Sequence, residues 1–379
     1  MLRQFHFTTR ALLFVLLFAL PSSVVVATPY TDLVVFGDSL SDLGNTSSST
    51  LGTVPGWYYS SGRFSNGPVY SERLATKLGV GPLSASSAGG DNYAFGGGQT
   101  AGTGGIEGLF IDDVDEQVDD FLAVGPVNST ALFVVFAGAN DLLNGQTNVS
   151  VPVNNMIASL ELLISAEAKI FLIPNLPLLG KTPRFNSDPA QALSWNTLTA
   201  DFNQTLATAL DSLSALHNDV TIFRLDIAGL INKVVASPAN FGLSNATDSA
   251  APGLEPGEIF YNTGQIVSDP SAYLFWDAIH PTTAAHAILA ERAFEAAHFA
   301  ADFDLDGDVD SADLGDPALG WTSQYGSELD GADFLVWQRQ LGSSIFTPPA
   351  AALRVPEPST LALTLLCAVA LVLLRSADN

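Results

Sequence analysis

The sequence predicts a three-layer α/β/α fold built on a parallel sheet. Three observations predict it. Four short runs rich in β-branched and aromatic residues, Asp32–Phe36, Ala131–Phe136, Lys169–Ile173 and Val220–Leu225, have the length and near-continuous apolarity of strands buried on both faces. Helical segments, Pro68–Leu78, Val151–Glu167, Pro189–Leu216 and Thr282–His298, lie between or after them. Such alternation is the pattern of a parallel sheet covered by helices. The sharpest motifs stand directly after strands, and sites in these sheets form beyond the carboxyl ends of the strands.

Composition sets the outer limits. The chain has 379 residues, 47% of them apolar, enough for one sizeable domain with smaller appendages. Lys+Arg number 14 against 39 Asp+Glu, a net charge of −25. So acidic a surface repels phosphate backbones, which excludes nucleic acid as a partner. The single cysteine, Cys367, stands in an apolar tail. It makes no internal disulfide, builds no thiolate zinc site and lies far from the motifs below.

Both ends carry sorting patterns. Residues 1–27 begin with Arg3 and Arg10, continue with the apolar run Ala11–Leu20 and end in Val25-Val26-Ala27. This order reads as a signal peptide cut after Ala27, and it predicts export. The run falls short of the roughly 20 residues a spanning helix needs. Residues 346–379 form a linker and tail: Val355-Pro356-Glu357-Pro358, the apolar stretch Leu361–Leu374, then Arg375. The tail resembles the PEP-CTERM sorting signal of exosortase-bearing bacteria. The resemblance implies exosortase-type sorting machinery as a partner, membrane contact through the tail, and a place in the cell envelope. A plain membrane anchor is the simpler alternative.

Two units lie between. The larger covers 28–300, with Gly- and Ser-rich stretches at 44–67 and 81–105 expected as long surface loops. The smaller, 301–345, opens with an acidic loop: Asp302, Asp304, Asp306, Asp310 and Asp313 fall at positions 1, 3, 5, 9 and 12, and Gly307 at position 6. That spacing fits an EF-hand-like calcium loop, with Asp313 in place of the usual Glu. A weaker echo at Leu329–Phe334 has Thr322, Gln324 and Gly326 where early ligands belong. The pair resembles a dockerin-type repeat, with Ca2+ expected at the first loop alone.

The chemistry is concentrated in four segments. In Val34-Val35-Phe36-Gly37-Asp38-Ser39-Leu40, a serine follows a strand through a glycine turn. Its hydroxyl is inert alone and needs a base and an oxyanion site. Of five histidines, His6 leaves with the signal peptide and His217 sits in a polar connection. His286 and His298 lie in or at the end of a helix, where exposed or half-buried structural roles are the usual case. His280 alone stands in a loop before a helix, with Asp277 three residues earlier. One turn brings that carboxylate to the imidazole, where it fixes the tautomer and stabilises the imidazolium. Asn92-Tyr93-Ala94-Phe95-Gly96-Gly97-Gly98 and Ala137-Gly138-Ala139-Asn140-Asp141 add backbone and amide N–H donors. Each segment alone is common in turns and caps; the weight lies in their combination.

Together, and in this order, the segments resemble the GDSL hydrolases, also called the SGNH family, over about residues 31–298. The resemblance implies a flavodoxin-like α/β/α domain and a catalytic set of Ser39 as nucleophile, His280 as base and Asp277 as its orienting acid. It implies an oxyanion hole made by the N–H groups of Ser39 and Gly97 with the Asn140 side chain. Gly96 and Gly98 compete for the middle place. No cofactor is implied for catalysis. Gly62-Arg63-Phe64-Ser65-Asn66-Gly67-Pro68, Pro174-Asn175-Leu176-Pro177 and Phe275-Trp276-Asp277 look like the branch of plant GDSL lipases and bacterial haemolysin-type acyltransferases. The expected function is an exported esterase or lipase acting on a lipid or an acylated carbohydrate. A polysaccharide O-deacetylase or an acyltransferase would use the same residues. A non-catalytic surface-attachment protein is the alternative of another class.

Overall fold

The computed structural model describes residues 30–257, 265–304, 307–317, 319–326 and 329–344. The signal peptide and the C-terminal tail expected from sequence lie outside the described residues. Among the described residues no helix is long and apolar enough to cross a membrane.

Four strands, β1 (Asp32–Gly37), β2 (Ala131–Phe136), β3 (Ile170–Pro174) and β4 (Thr221–Leu225), form one parallel sheet in that order. Register runs from Asp32 opposite Ala131, through Leu132 opposite Ile170, to Ile170 opposite Thr221. All six residues of β2 and all five of β3 are buried, as expected for central strands covered on both faces. The covering helices are α1 (Tyr70–Lys77), α2 (Val114–Val124), α3 (Ser150–Ser165), α4 (Pro189–Leu216), α5 (Ile227–Ala236) and α6 (Thr283–Ala296). Burial of Phe133, Phe136, Phe171 and Phe202 between these layers makes one continuous core.

Local chemistry sets the helix starts. Asp188 accepts from the N–H groups of Ala190 and Gln191, with Pro189 in the first turn of α4. Asp226 caps α5 through Gly229 N–H, and Thr282 caps α6 through Ala285 N–H. The strands and helices expected from sequence are present, two with the same ends and the rest with ends shifted by at most two residues. Helices α2 and α5 were not expected, nor was a small parallel pair, β5 (Asn245–Ser249) with β6 (Tyr273–Phe275). α2 has four acidic residues in Val114–Val124, which mask its apolar face. α5 follows β4 after Asp226 alone, so its apolar residues merge with the strand in the sequence.

The Gly/Ser-rich stretches reach the surface as expected, with Leu51 and Trp57 exposed, but part of each runs inside. Asn45, Thr46, Tyr59, Phe64 and Ser65 in the first are buried, as are Asn92 and Ala94 in the second. Irregular backbone survives there because side chains satisfy it. Asn45 donates to the carbonyls of Asn92 and Ala94, and Asp42 accepts from the N–H groups of Gly44, Asn45, Thr46 and Gly96. These loops wrap the carboxyl edge of β1, where the first motif stands.

Candidate active site

β1 ends at Gly37, and the chain turns sharply into Asp38-Ser39. Gly37 has φ +147°, and a Cβ there would lie 2.2 Å from the Phe136 carbonyl oxygen. Only glycine allows that close approach of β1 to the end of β2. Gln117 of α2 completes the edge by accepting from Gly37 N–H and donating to its carbonyl, at 2.8 and 2.9 Å. Asp38 then accepts from Leu40 N–H through its side chain and from Ser41 N–H through its carbonyl. The turn is therefore held on all sides of Ser39.

His280 and Asp277 arrive from the segment between β6 and α6. The carbonyl of His280 accepts from Trp276 N–H at 2.7 Å, closing a tight turn. Asp277 Oδ1 accepts from the N–H groups of Ile279 and His280, at 2.8 and 2.6 Å. Its Oδ2 lies 2.7 Å from His280 Nδ1, and His280 Nε2 lies 2.9 Å from Ser39 Oγ. Asp277 is 1% exposed, His280 7% and Ser39 8%, so solvent barely screens the chain of contacts. An ionised carboxylate only accepts, so Nδ1 carries the proton and Nε2 faces the serine hydroxyl as acceptor.

The charges reinforce one another. Burial disfavours the Asp277 carboxylate, but the His280 charge and the hydrogen bonds outweigh it, and its pKa is lowered. Burial also disfavours the His280 imidazolium; Asp277 outweighs it, aided by Asp38 and Glu255, and the pKa is raised above 6.5.

The three donors expected for an oxyanion hole line the same cavity as this hydroxyl. Asn140 stands in the short helix Ala139–Leu143 directly after β2, and its Nδ2 donates to Gly98 O at 2.9 Å. Gly96 N–H is committed to Asp42 and Thr46 Oγ1, and Gly98 N–H to the Phe95 carbonyl. The N–H groups of Ser39 and Gly97 donate to no acceptor among the described residues. Ser39, Gly97, Asn140 and His280 line one cavity of about 310 Å³.

Two residues that motif reading missed touch the site. Tyr59 Oη–H donates to Asp277 Oδ2 at 2.6 Å. Phe64 packs against His280 with ring centroids 5.3 Å apart. It fits because residue 96 is glycine: a Cβ there would fall 2.0 Å from the Phe64 ring. Phe64 belongs to the Gly-Arg-Phe-Ser-Asn-Gly-Pro phrase, so a signal existed; Tyr59 had none.

Two of the remaining histidines are placed differently from the sequence expectation, and His217 lies in the expected connection between α4 and β4. His286 and His298 are buried. His286 Nδ1 accepts from Tyr70 N–H, and burial pushes this histidine down to about 3, so it stays neutral. His298 Nδ1 contacts the Phe294 carbonyl. Half-buried His217 pairs with Glu161 at 3.2 Å.

A profile of the family described as GDSL-like Lipase/Acylhydrolase matches residues 33–293. The chain belongs to this family. Relatives of the chain include the "Uncharacterized protein in trpE-trpG intergenic region" of Pseudomonas putida, 29% identical over 73% of this chain and 49% of that protein. The "Thermolabile hemolysin" of Vibrio parahaemolyticus is 27% identical over 72% of this chain and 65% of that one. The "Phosphatidylcholine-sterol acyltransferase" of Aeromonas hydrophila is 29% identical over 70% of this chain and 89% of that one. The chain thus spans about half and about two thirds of the length of the first two. The sheet, its flanking helices and the family match make this GDSL-like chain an α/β SGNH-type fold.

Outside the GDSL-like region, oxygens of Asp302, Asp304 and Asp313 lie within 4.8 Å of one another. Gly307 has φ +95° and its N–H donates to Asp302 Oδ2 at 3.0 Å. Asp310 does not join the cluster; its Oδ1 accepts from Ala312 N–H. Asp306 lies outside the described residues. Burial, with repulsion from Asp304, pushes Asp313 up to about 6 against three backbone N–H groups.

Proposed function

We propose that the chain hydrolyses carboxylic esters through an acyl-enzyme on Ser39. The observation that carries this reading is the hydrogen-bonded series Ser39 Oγ, His280 Nε2, His280 Nδ1, Asp277 Oδ2, at 2.9 and 2.7 Å. As His280 Nε2 takes the hydroxyl proton, the Ser39 oxygen attacks the ester carbonyl carbon. The carbonyl oxygen becomes an oxyanion, held by the N–H groups of Ser39 and Gly97 and by Asn140 Nδ2. Collapse breaks the bond to the alcohol, which leaves with the proton from His280. Water then repeats the sequence against the acyl-enzyme and frees the acid. Release of alcohol from a short-chain chromogenic ester by the purified chain tests the reading; no release contradicts it.

Two variants test the supporting groups. Asn140→Ala should lower kcat by about 10²–10³-fold, as loss of one oxyanion donor does. Full turnover in a folded variant would remove Asn140 from the hole. Tyr59→Phe removes a donor that lowers the pKa of Asp277. The carboxylate becomes more basic and raises His280 further, so the acid limb of kcat/KM should move to higher pH. The plateau should fall by less than about tenfold, the scale of one hydrogen bond. A merely structural tyrosine would change the plateau and leave the limb in place.

A second reading has one observation in its favour, the relative named as an acyltransferase. The same acyl-enzyme transfers to an alcohol wherever an alcohol outcompetes water. Export and envelope sorting are proposed from residues 1–27 and the Pro356-Glu357-Pro358 tail.

Calcium is proposed at the second unit, with Asp302, Asp304 and Asp313 as ligands and Asp306 added from the sequence spacing alone; Asp310 stands apart from them, its Oδ1 taken by Ala312 N–H. The donor set is all oxygen, which suits a hard cation, and Gly307 makes the turn such loops require. When bound, the ion supplies charge neutralisation for the clustered carboxylates and no catalytic step. Titration of the full chain should show one calcium site at millimolar calcium or below, and chelator should leave ester cleavage intact. Absence of binding removes the metal; loss of cleavage in chelator ties it to the catalytic domain.

A further inference from the structure

The cavity at Ser39 extends well beyond the reacting atoms. Ser39 and His280, from loops, and Asn140, from the short helix after β2, stand past the carboxyl edge of the sheet, and Lys181, Arg184 and Glu255 also line the cavity. Its deeper wall comes from two helices. α5 contributes Ile227, Leu230, Ile231 and Val234, and α6 contributes Ile288 and Leu289. The α5 positions are i, i+3, i+4 and i+7, the apolar face of one helix. Ile227, Leu230 and Val234 belong to the buried core, with Ile231 packed against it, and the same stripe lines the cavity that reaches the nucleophile.

The direction of the helices gives the depth. α5 follows β4 directly, so Ile227 lies at the catalytic edge and Val234 about two turns below it. Seven residues at 1.5 Å each make that depth about 10 Å. An extended chain advances about 1.2 Å per bond, as the backbone does over its three bonds per residue, so about eight bonds fill the depth.

Resting on the acyl-enzyme reading above, we propose that this cavity holds the acyl part of the ester as an unbranched alkyl chain of about eight carbons. The acyl part fits, and the alcohol does not, for a chemical reason. The alcohol leaves after the first half-reaction, and water must enter from the side it vacates to attack the acyl carbon. The acyl group stays attached to Ser39 Oγ through both steps and excludes no necessary reactant. A largely apolar wall therefore suits the group that stays. Val234 and Ile288 set how long that group can be.

The test is a series of 4-nitrophenyl esters, acetate to hexadecanoate, presented as monomers to the full chain. kcat/KM should rise by up to about fourfold per methylene towards octanoate, the worth of burying each one, and fall beyond it. Val234→Trp and Ile231→Phe shorten or narrow the cavity and should move the optimum to shorter acyl chains, lowering the octanoate-to-acetate ratio of kcat/KM. Wild-type cleavage best on acetate, or rising without limit to hexadecanoate, overturns the proposal and leaves the ester reading standing. So does an optimum that neither variant moves. Should one variant fail to fold, the other and the wild-type profile still decide. No cleavage at any chain length points instead to failure of the ester reading itself.

Discussion

Ser39→Ala is expected to lower kcat on a simple ester by about six orders of magnitude, the loss seen when a triad nucleophile is removed. The reason is geometric. Among the described residues no other hydroxyl is held against His280 Nε2, which lies 2.9 Å from Ser39 Oγ, and water in that place would have to be captured and oriented anew. The remaining donors of Gly97 and Asn140 would still favour the tetrahedral intermediate, leaving residual activity about 10³–10⁴-fold above water. The fold should not suffer. Ser39 Oγ makes its one described hydrogen bond with His280, so the unfolding free energy should change by no more than about 1 kcal/mol. Thermal unfolding beside the kinetics separates the two effects. A variant that keeps its melting temperature and also its turnover would take Ser39 out of the mechanism.

Asp277→Asn should lower kcat by about 10⁴-fold, as loss of the matching carboxylate does in serine proteases. Here the cause is visible in the partners. The N–H groups of Ile279 and His280 point at Oδ1, so the amide oxygen of asparagine would stay there. Its NH2 would then face His280 Nδ1. That ring nitrogen would have to accept, the proton would move to Nε2, and the ring would no longer take the Ser39 proton.

The pH profile should change as well. His280 acts as base only when neutral, so wild-type kcat/KM is lost as pH falls through its raised pKa, above 6.5. Removing the Asp277 charge lowers that pKa, though Asp38 and Glu255 still face the ring. The acid limb should move down in pH as the plateau falls, opposite in direction to Tyr59→Phe. A limb that stays in place would show that Asp277 does not govern the charge of His280.

Much of this architecture was legible in the residues. The four strands showed because central parallel strands must be apolar on both faces, and α4 because its pattern runs 28 residues behind an Asp-Pro start. Ser39, Asn140 and His280 showed because each follows a strand or precedes a helix within a compact motif. α2 was hidden because its face is interrupted by acids, yet its Gln117 fixes the end of β1. Tyr59 was hidden for a different reason. It lies 218 residues from Asp277, and no local pattern encodes a contact made only when two loops fold over one edge. Sequence left three glycines open for the oxyanion site. Among the described residues the N–H groups of Gly96 and Gly98 are taken by acceptors and that of Gly97 is not, which favours Gly97 in the proposed oxyanion hole.

The central claim is that an acyl group is carried on Ser39, and covalent trapping tests it most directly. The full chain is treated with an alkyl phosphonate ester that imitates the tetrahedral intermediate, then digested and weighed by mass spectrometry. The account predicts one adduct per chain, on the peptide containing Ser39, formed in step with loss of esterase activity and absent from Ser39→Ala. Complete inactivation with the label on another residue, or ester cleavage that persists when Ser39 is fully modified, would contradict it.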